Sequence, residues 1–340
     1  MKRGSIFSIA LMISILIACG KRNTQANNTP PSNLTLIANV STDNSGNVTF
    51  TASATNAVSY EFNFGNSISQ IVPTGVVTYR YPTSDTYTIT VIAKSAGGQT
   101  ISKSIQITVT VVLSLAWSEE FDTPGAPGAA KWGYDLGGGG WGNNELQYYT
   151  NRADNVIISN GTLKIIAKKE NYSGSGYTSA RILTKDKFSF KYGKIEAMAK
   201  LPAGAGTWPA IWMLGNNIAA AGWPGCGEID IMEHVGNQLN KIFGTLHHPG
   251  HAGGSADGGN VIISTATTTF HKYTVEWSVF SIKFLVDDVT FYTFTNYPSL
   301  PFNQNFFIIL NVAMGGNFGG AVDPAYTSAE LEIDYIRVYQ

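Results

Sequence analysis

The stretch Gly227-Glu228-Ile229-Asp230-Ile231-Met232-Glu233 decides how this chain is read. On a helix, Glu228 and Glu233 would lie about 140° apart around the axis and could not share a site. On a strand, alternation puts Glu228 and Asp230 on one face and Ile229 and Ile231 on the other, packing inward. Strict alternation would then set Met232 beside the acids and Glu233 on the wrong side. One extra residue, taken up as a β-bulge near Met232, returns Glu233 to the acidic face. The reading predicts a bulged strand with three carboxylates in a row.

Three close carboxylates in a partly desolvated cleft cannot all ionise cheaply. Repulsion raises at least one pKa and keeps a proton available near neutral pH. That suits glycoside hydrolysis, in which one carboxylate attacks and another protonates the leaving oxygen. A solvated acidic edge strand is the plain alternative. A calcium site is another, but calcium wants oxygens wrapped around one point and this run is extended.

Working outward, the residues from Leu113 to Gln340 continue the strand pattern, with candidates at Gly161–Ala167, Tyr192–Ala199, Phe306–Val312 and Leu331–Tyr339. Many strands, Gly-rich turns and no long 3.6-residue period predict an all-β sandwich. Charged residues are 13% of the 340 and the net charge is −1, which offers no basic surface for nucleic acid. The two cysteines, Cys19 and Cys226, do not make a disulfide framework. Cys226, two positions before Glu228, reads as a small buried residue.

The N-terminal segment has a basic start (Lys2, Arg3) and an apolar run from Ile6 to Ala18, the pattern of a signal peptide. It ends Leu16-Ile17-Ala18-Cys19, which resembles a bacterial lipobox. The expectation is a signal peptide over 1–18, lipidation at Cys19 and a polar tether over 19–33. Residues 34–112 alternate in period two, most clearly at Thr86–Ile92 and Ile105–Val111, with a turn at Ser95–Gln99. Tyr60–Asn66, Tyr79-Arg80-Tyr81 and Asp85–Val91 resemble a PKD-type immunoglobulin-like module. The match is partial, because Phe62-Asn63-Phe64-Gly65-Asn66 stands where that family has Trp-Asp-Phe-Gly-Asp. A spacer is expected, with weak glycan binding as the alternative.

From Leu115 to Gln340 the chain resembles glycoside hydrolase family 16, in its laminarinase branch. The residues that carry the resemblance are Glu228, Asp230 and Glu233 in the Glu-x-Asp-x-x-Glu signature, which related lichenases shorten by one residue. They are joined by Trp117–Phe121, Gly140–Tyr149, Ser179-Ala180-Arg181, Trp208–Leu214, Gly244–His247, Leu310–Asn317 and Ile333–Tyr339. The resemblance implies a β-jelly roll over 113–340 and a retaining endo-β-1,3-glucanase. Glu228 is then the nucleophile, Glu233 the acid/base, and Asp230 the residue tuning protonation between them. His247 matches a family histidine near the acid/base. Asn144, Arg181, Trp208, Trp212, Trp223 and Asn311 are expected to bind sugar, since a pyranose stacks its C–H face on aromatic rings. Phe318-Gly319-Gly320 departs from the usual Trp-Pro-Gly and puts one stacking contact in doubt. No cofactor is implied for catalysis. A structural calcium is implied at Glu120, the Gly161 carbonyl and Asp334. The expected partners are a β-1,3-glucan and, through Cys19, a membrane of the bacterial cell envelope, the outer membrane or cell surface. A monomer is expected. Mixed-linkage glucan or algal galactan as substrate, and a non-catalytic glycan-binding lipoprotein, are the competing readings.

Overall fold

The structure is a computed structural model that describes residues 29–340. The expected signal peptide, Cys19 and most of the tether lie outside the described residues. The described chain is almost wholly β.

Two small sheets form between residues 32 and 109. One pairs Ser32–Val40, Asn47–Thr55 and Val76–Arg80. The other runs in the order Ser69–Val72, Ser59–Asn63, Asp85–Lys94, Thr100–Val109. Alternation brings Phe50 of the first sheet against Phe62 and Phe64 of the second segment, at ring distances of 6.2 and 5.7 Å. All three rings are fully buried. Contacts divide the chain differently from the expected boundary at residue 113. One compact unit holds the described residues up to Asn39 with Thr49–Thr78 and Thr88–Ile107, and the other holds Val40–Val48, Tyr79–Tyr87 and Thr108–Gln340. The reason is local: the turn residues bond one another, with Tyr81 N donating to Gly46 O and Val112 N to Asn44 O.

The larger unit is built on two further sheets. A seven-stranded sheet has the order Asp257–Ile262, Lys241–His247, Glu228–His234, Thr207–Gly215, Phe306–Met314, Arg181–Leu183, Gly133–Asp135. A ten-stranded sheet has Thr162–Tyr172, Ser328–Tyr339, Gly193–Lys200 and His271–Trp277 at its centre. Inward residues of both enclose one core, with Ile229, Ile231 and Leu310 from the first sheet and Ala197, Val275 and Ile333 from the second. This is the sandwich the strand pattern predicts, and the jelly roll the family resemblance implies.

Candidate active site

The acidic strand occupies the middle of the seven-stranded sheet, and its register contains the bulge. Glu228 and Asp230 pair with Leu214 and Trp212, but Met232 and Glu233 pair with Ile211 and Ala210, so Ile231 is the unpaired extra residue. The shift recurs against the other neighbour, where Asp230 faces Thr245 and Glu233 faces Phe243. Ile229, Ile231 and Met232 all enter the core. The three carboxylates turn to the opposite face, into a cleft of about 750 Å3.

Each acid has its own partners. Trp223 Nε1 donates to Glu228 Oε2 at 2.8 Å. Trp208 Nε1 and Thr245 Oγ1 donate to the two oxygens of Glu233 at 2.9 and 3.0 Å. Asp230 is 3% exposed. Its Oδ2 lies 3.2 Å from His247 Nε2 yet receives no hydrogen bond. Burial, and then the charge of Asp230, push the Glu228 carboxyl well above the usual range. Burial, and then the charge of Glu233, do the same to Asp230. Burial also raises Glu233, and its Trp208 and Thr245 donors pull it back down. The cluster therefore retains a proton where isolated carboxylates would be ionised, while its two outer members stay in separate hydrogen-bond environments.

His247 lines the same cleft as Glu233, and cross-strand register sets it opposite Glu228, with Nε2 3.7 Å from Glu228 Oε1. Gly253 N donates to its Nδ1 at 3.1 Å. An amide can only donate, so Nδ1 accepts and the neutral ring carries its proton on Nε2, the nitrogen nearer the acids.

The adjacent strand Thr207–Gly215 supplies the floor. Trp208, Ala210, Trp212 and Leu214 line the cleft, and Ile211 and Met213 point into the core. Trp212 Nε1 donates to Asn311 Oδ1 at 2.7 Å, and Asn311 Nδ2 donates to Tyr149 OH at 3.0 Å. Asn311 thus lines the cleft with both ends of its amide committed to protein. Arg181 lies between Trp141 and Trp212, 5.1 and 4.7 Å from their ring centres, and pairs with Asp135 at 3.0 Å. Trp223 stands half exposed at the rim. Phe318 packs edge-on against Trp208 at 5.5 Å, so the substituted motif still places an aromatic ring on the cleft.

The Asn144 backbone is left-handed (φ 58°), and its amide donates at 2.8 Å to Oδ1 of Asn317, a residue that lines the cleft. Its neighbour Asn143 lines the cleft directly. Thr245 and Trp141 were missed as individual residues. Thr245 was legible, because it alternates with His247 on one strand. Trp141 had no local signal beyond its block. Cys226 is fully buried, with burial raising its thiol pKa first and the Glu228 charge adding to it, so it is no nucleophile.

The implied calcium residues belong to one flank of the central strand Ser328–Tyr339: Gly193–Lys200 pairs along its other side, and on this flank Thr162–Tyr172 and then Leu115–Glu119 pair with it. Both oxygens of Glu120 are held by Arg337 at 3.0 and 2.7 Å. That pairing commits the Glu120 side chain to Arg337. The exposed Asp334 carboxylate and the Gly161 carbonyl are hard oxygen donors that fit calcium.

The family model for glycosyl hydrolases family 16 matches residues 143–337, which include all three acids. A second model, for beta-glucan synthesis-associated protein SKN1/KRE6/Sbg1, matches residues 42–228 and stops at the first acid. A beta-glucanase of Rhodothermus marinus is 47% identical over 242 residues, covering 66% of this chain and 85% of that protein. A glucan endo-1,3-beta-glucosidase A1 of Niallia circulans is 36% identical over 67% of this chain but only 38% of its own length. The crystal structure of the laminarinase from Rhodothermus marinus superimposes with a TM-score of 0.65 at 46% identity, covering 67% of this chain and 98% of that one. With a family model spanning more than half the chain and every acid of the bulged strand, the chain belongs to glycosyl hydrolases family 16.

Proposed function

We propose that the protein is a retaining endo-β-1,3-glucanase acting by double displacement. The observation that carries this reading is the bulge at Ile231, which turns Glu233 onto the face already occupied by Glu228 and Asp230. Glu228 attacks the anomeric carbon and forms a glycosyl–enzyme intermediate. Glu233 protonates the leaving oxygen, and once ionised it takes a proton from the attacking water. Asp230, between them, raises the cost of ionising the whole row, so that a proton remains for the first step. Trp208, Trp212 and Trp223 offer rings for sugar faces, and Arg181 offers hydrogen bonds to hydroxyls. The relatives that support the substrate are named for β-glucan and β-1,3-glucan hydrolysis.

Product stereochemistry tests the roles. Glu228→Ala and Glu233→Ala should both lose activity on laminarin, and both should respond to azide on an activated aryl glycoside. Glu228→Ala should give the inverted α-glycosyl azide and Glu233→Ala the retained β-glycosyl azide. Reversed products would swap the two roles, and unimpaired variants would remove the strand from catalysis. Product analysis on laminarin against lichenan separates β-1,3 from mixed-linkage activity.

The rest of the proposal concerns delivery. Residues 34–112 act as a PKD-like spacer, supported by two sheets of immunoglobulin-like order and by Tyr87 OH donating to Thr83 O at 2.9 Å, a corner typical of such folds. Cys19 carries a lipid that holds a monomeric enzyme at the bacterial cell envelope, in the outer membrane or at the cell surface. Catalysis needs no cofactor, and calcium held by Asp334 and neighbouring carbonyls stabilises the fold.

A further inference from the structure

Beside the cleft, a second cluster of titratable groups takes no part in the chemistry above. His248 Nε2 lies 2.9 Å and His251 Nδ1 lies 3.1 Å from one oxygen, Asp257 Oδ2. The three donor atoms all fall within 4.8 Å of one another. Among the described residues, the only other such group is Glu228, Asp230 and His247 in the active site.

We propose that His248, His251 and Asp257 form a binding site for a divalent transition metal, zinc being the ion their chemistry fits best. Two imidazole nitrogens and one carboxylate oxygen are a zinc ligand set. A tetrahedral ion with bonds of about 2.0–2.2 Å needs its donors roughly 3.3–3.5 Å apart, and the two His–Asp distances are within a few tenths of that. Small rotations of the side chains would admit the ion. Calcium and magnesium are disfavoured by the two nitrogen donors.

The site is built rather than fortuitous. His248 and His251 face each other across an isolated β-bridge, each donating its amide to the other's carbonyl at 2.9 Å. Their rings stack at 4.7 Å. The buried His248 ring is fixed against Phe294 and Phe302 at 5.9 and 5.7 Å. Such an apolar surround orients a ligand and limits water. His251 is half exposed, which gives the ion a path in and leaves a position for water.

The position gives the metal a task. His251 and Asp257 flank the loop Ala252–Ala256, and Gly253 and Gly254 of that loop line the cleft. Gly253 is also the residue that holds His247 Nδ1. A metal pinning both ends of the loop would fix the histidine that faces the acids.

The test uses the full chain, stripped by a chelator and titrated with zinc alone by calorimetry. One saturable equivalent is expected, undiminished by excess calcium, in both the wild type and Glu228→Gln. His251→Gln, which keeps a donor for Asp257, should weaken binding by at least about tenfold. Without zinc it should melt with the wild type, and zinc should raise the melting temperature of the wild type alone. Cobalt should give tetrahedral visible bands in the wild type and not in His251→Gln. No saturable binding in the wild type, equal binding in His251→Gln, or loss of binding in Glu228→Gln would each overturn the proposal. The trio would then be a hydrogen-bonded hub, or the zinc would sit on the catalytic acids.

Discussion

Thr245→Val removes one of the two donors to Glu233 with little change of shape. The bond is 3.0 Å, from a hydroxyl to a buried carboxylate. A hydrogen bond to a charged group contributes about 1.5–3 kcal/mol, which is roughly a 10- to 150-fold bias toward the ionised form. Burial raises the Glu233 pKa and the Thr245 hydroxyl opposes that rise, so the substitution moves the titration upward. In the proposed double displacement the two chemical steps need opposite states of this group: formation of the intermediate needs Glu233 protonated, and its hydrolysis needs Glu233 ionised. The alkaline limb of kcat/KM on laminarin should therefore extend to higher pH. On an activated aryl glycoside, where departure needs no proton and hydrolysis of the intermediate limits turnover, kcat should fall at neutral pH by up to about the same 10- to 150-fold. Initial rates on both substrates across pH, with pre-steady-state bursts to identify the limiting step, provide the assay. Equal loss on both substrates with neither limb displaced would refute the reasoning, because Thr245 would then be shaping the cleft and not holding the charge.

Other outcomes follow from the same structure. Asp230→Asn should raise the melting temperature while impairing hydrolysis. The folded-state pKa of Asp230 lies well above the ordinary carboxylate value, so the wild type loses stability as pH rises through that interval and the amide does not. The gap in melting temperature should be absent below the ordinary carboxylate range and widen above it, and a gap independent of pH would contradict the assignment. Arg181→Lys loses the guanidinium that lies near the rings of both Trp141 and Trp212. It should raise KM by about 2- to 30-fold with kcat nearly unchanged, and a fall in kcat alone would place Arg181 in the chemistry. Chelation of calcium should lower the melting temperature by mass action and leave activity at moderate temperature intact, whereas an unchanged melting temperature would remove calcium from the molecule. Cys19→Ser should release the protein from the membrane fraction with full activity, and a wild type already found soluble and unlipidated would refute the anchor.

The directions of side chains along a strand are a local property, and the sequence by itself determined them. Period-two alternation separated the acids from Ile229 and Ile231, and the odd spacing to Glu233 required a bulge near Met232. The register places the extra residue at Ile231, one position earlier. The same rule made Trp208 and Trp212 share a face, and Gly-rich turns between short strands announced the sandwich. What the sequence could not determine is which neighbour each side chain meets, because that depends on cross-strand register and on loops closing over long separations. Trp208 reaches Glu233 across 25 residues, Trp212 reaches Asn311 across 99, and Arg337 takes Glu120 across 217. Only the tertiary structure put His247 opposite Glu228, joined Asn144 to Asn317, and closed His248 and His251 onto Asp257. Side-chain facing follows from the pleat of one strand, but hydrogen-bond partners and pKa shifts follow from burial between several strands, and burial exists only once the sheets have packed.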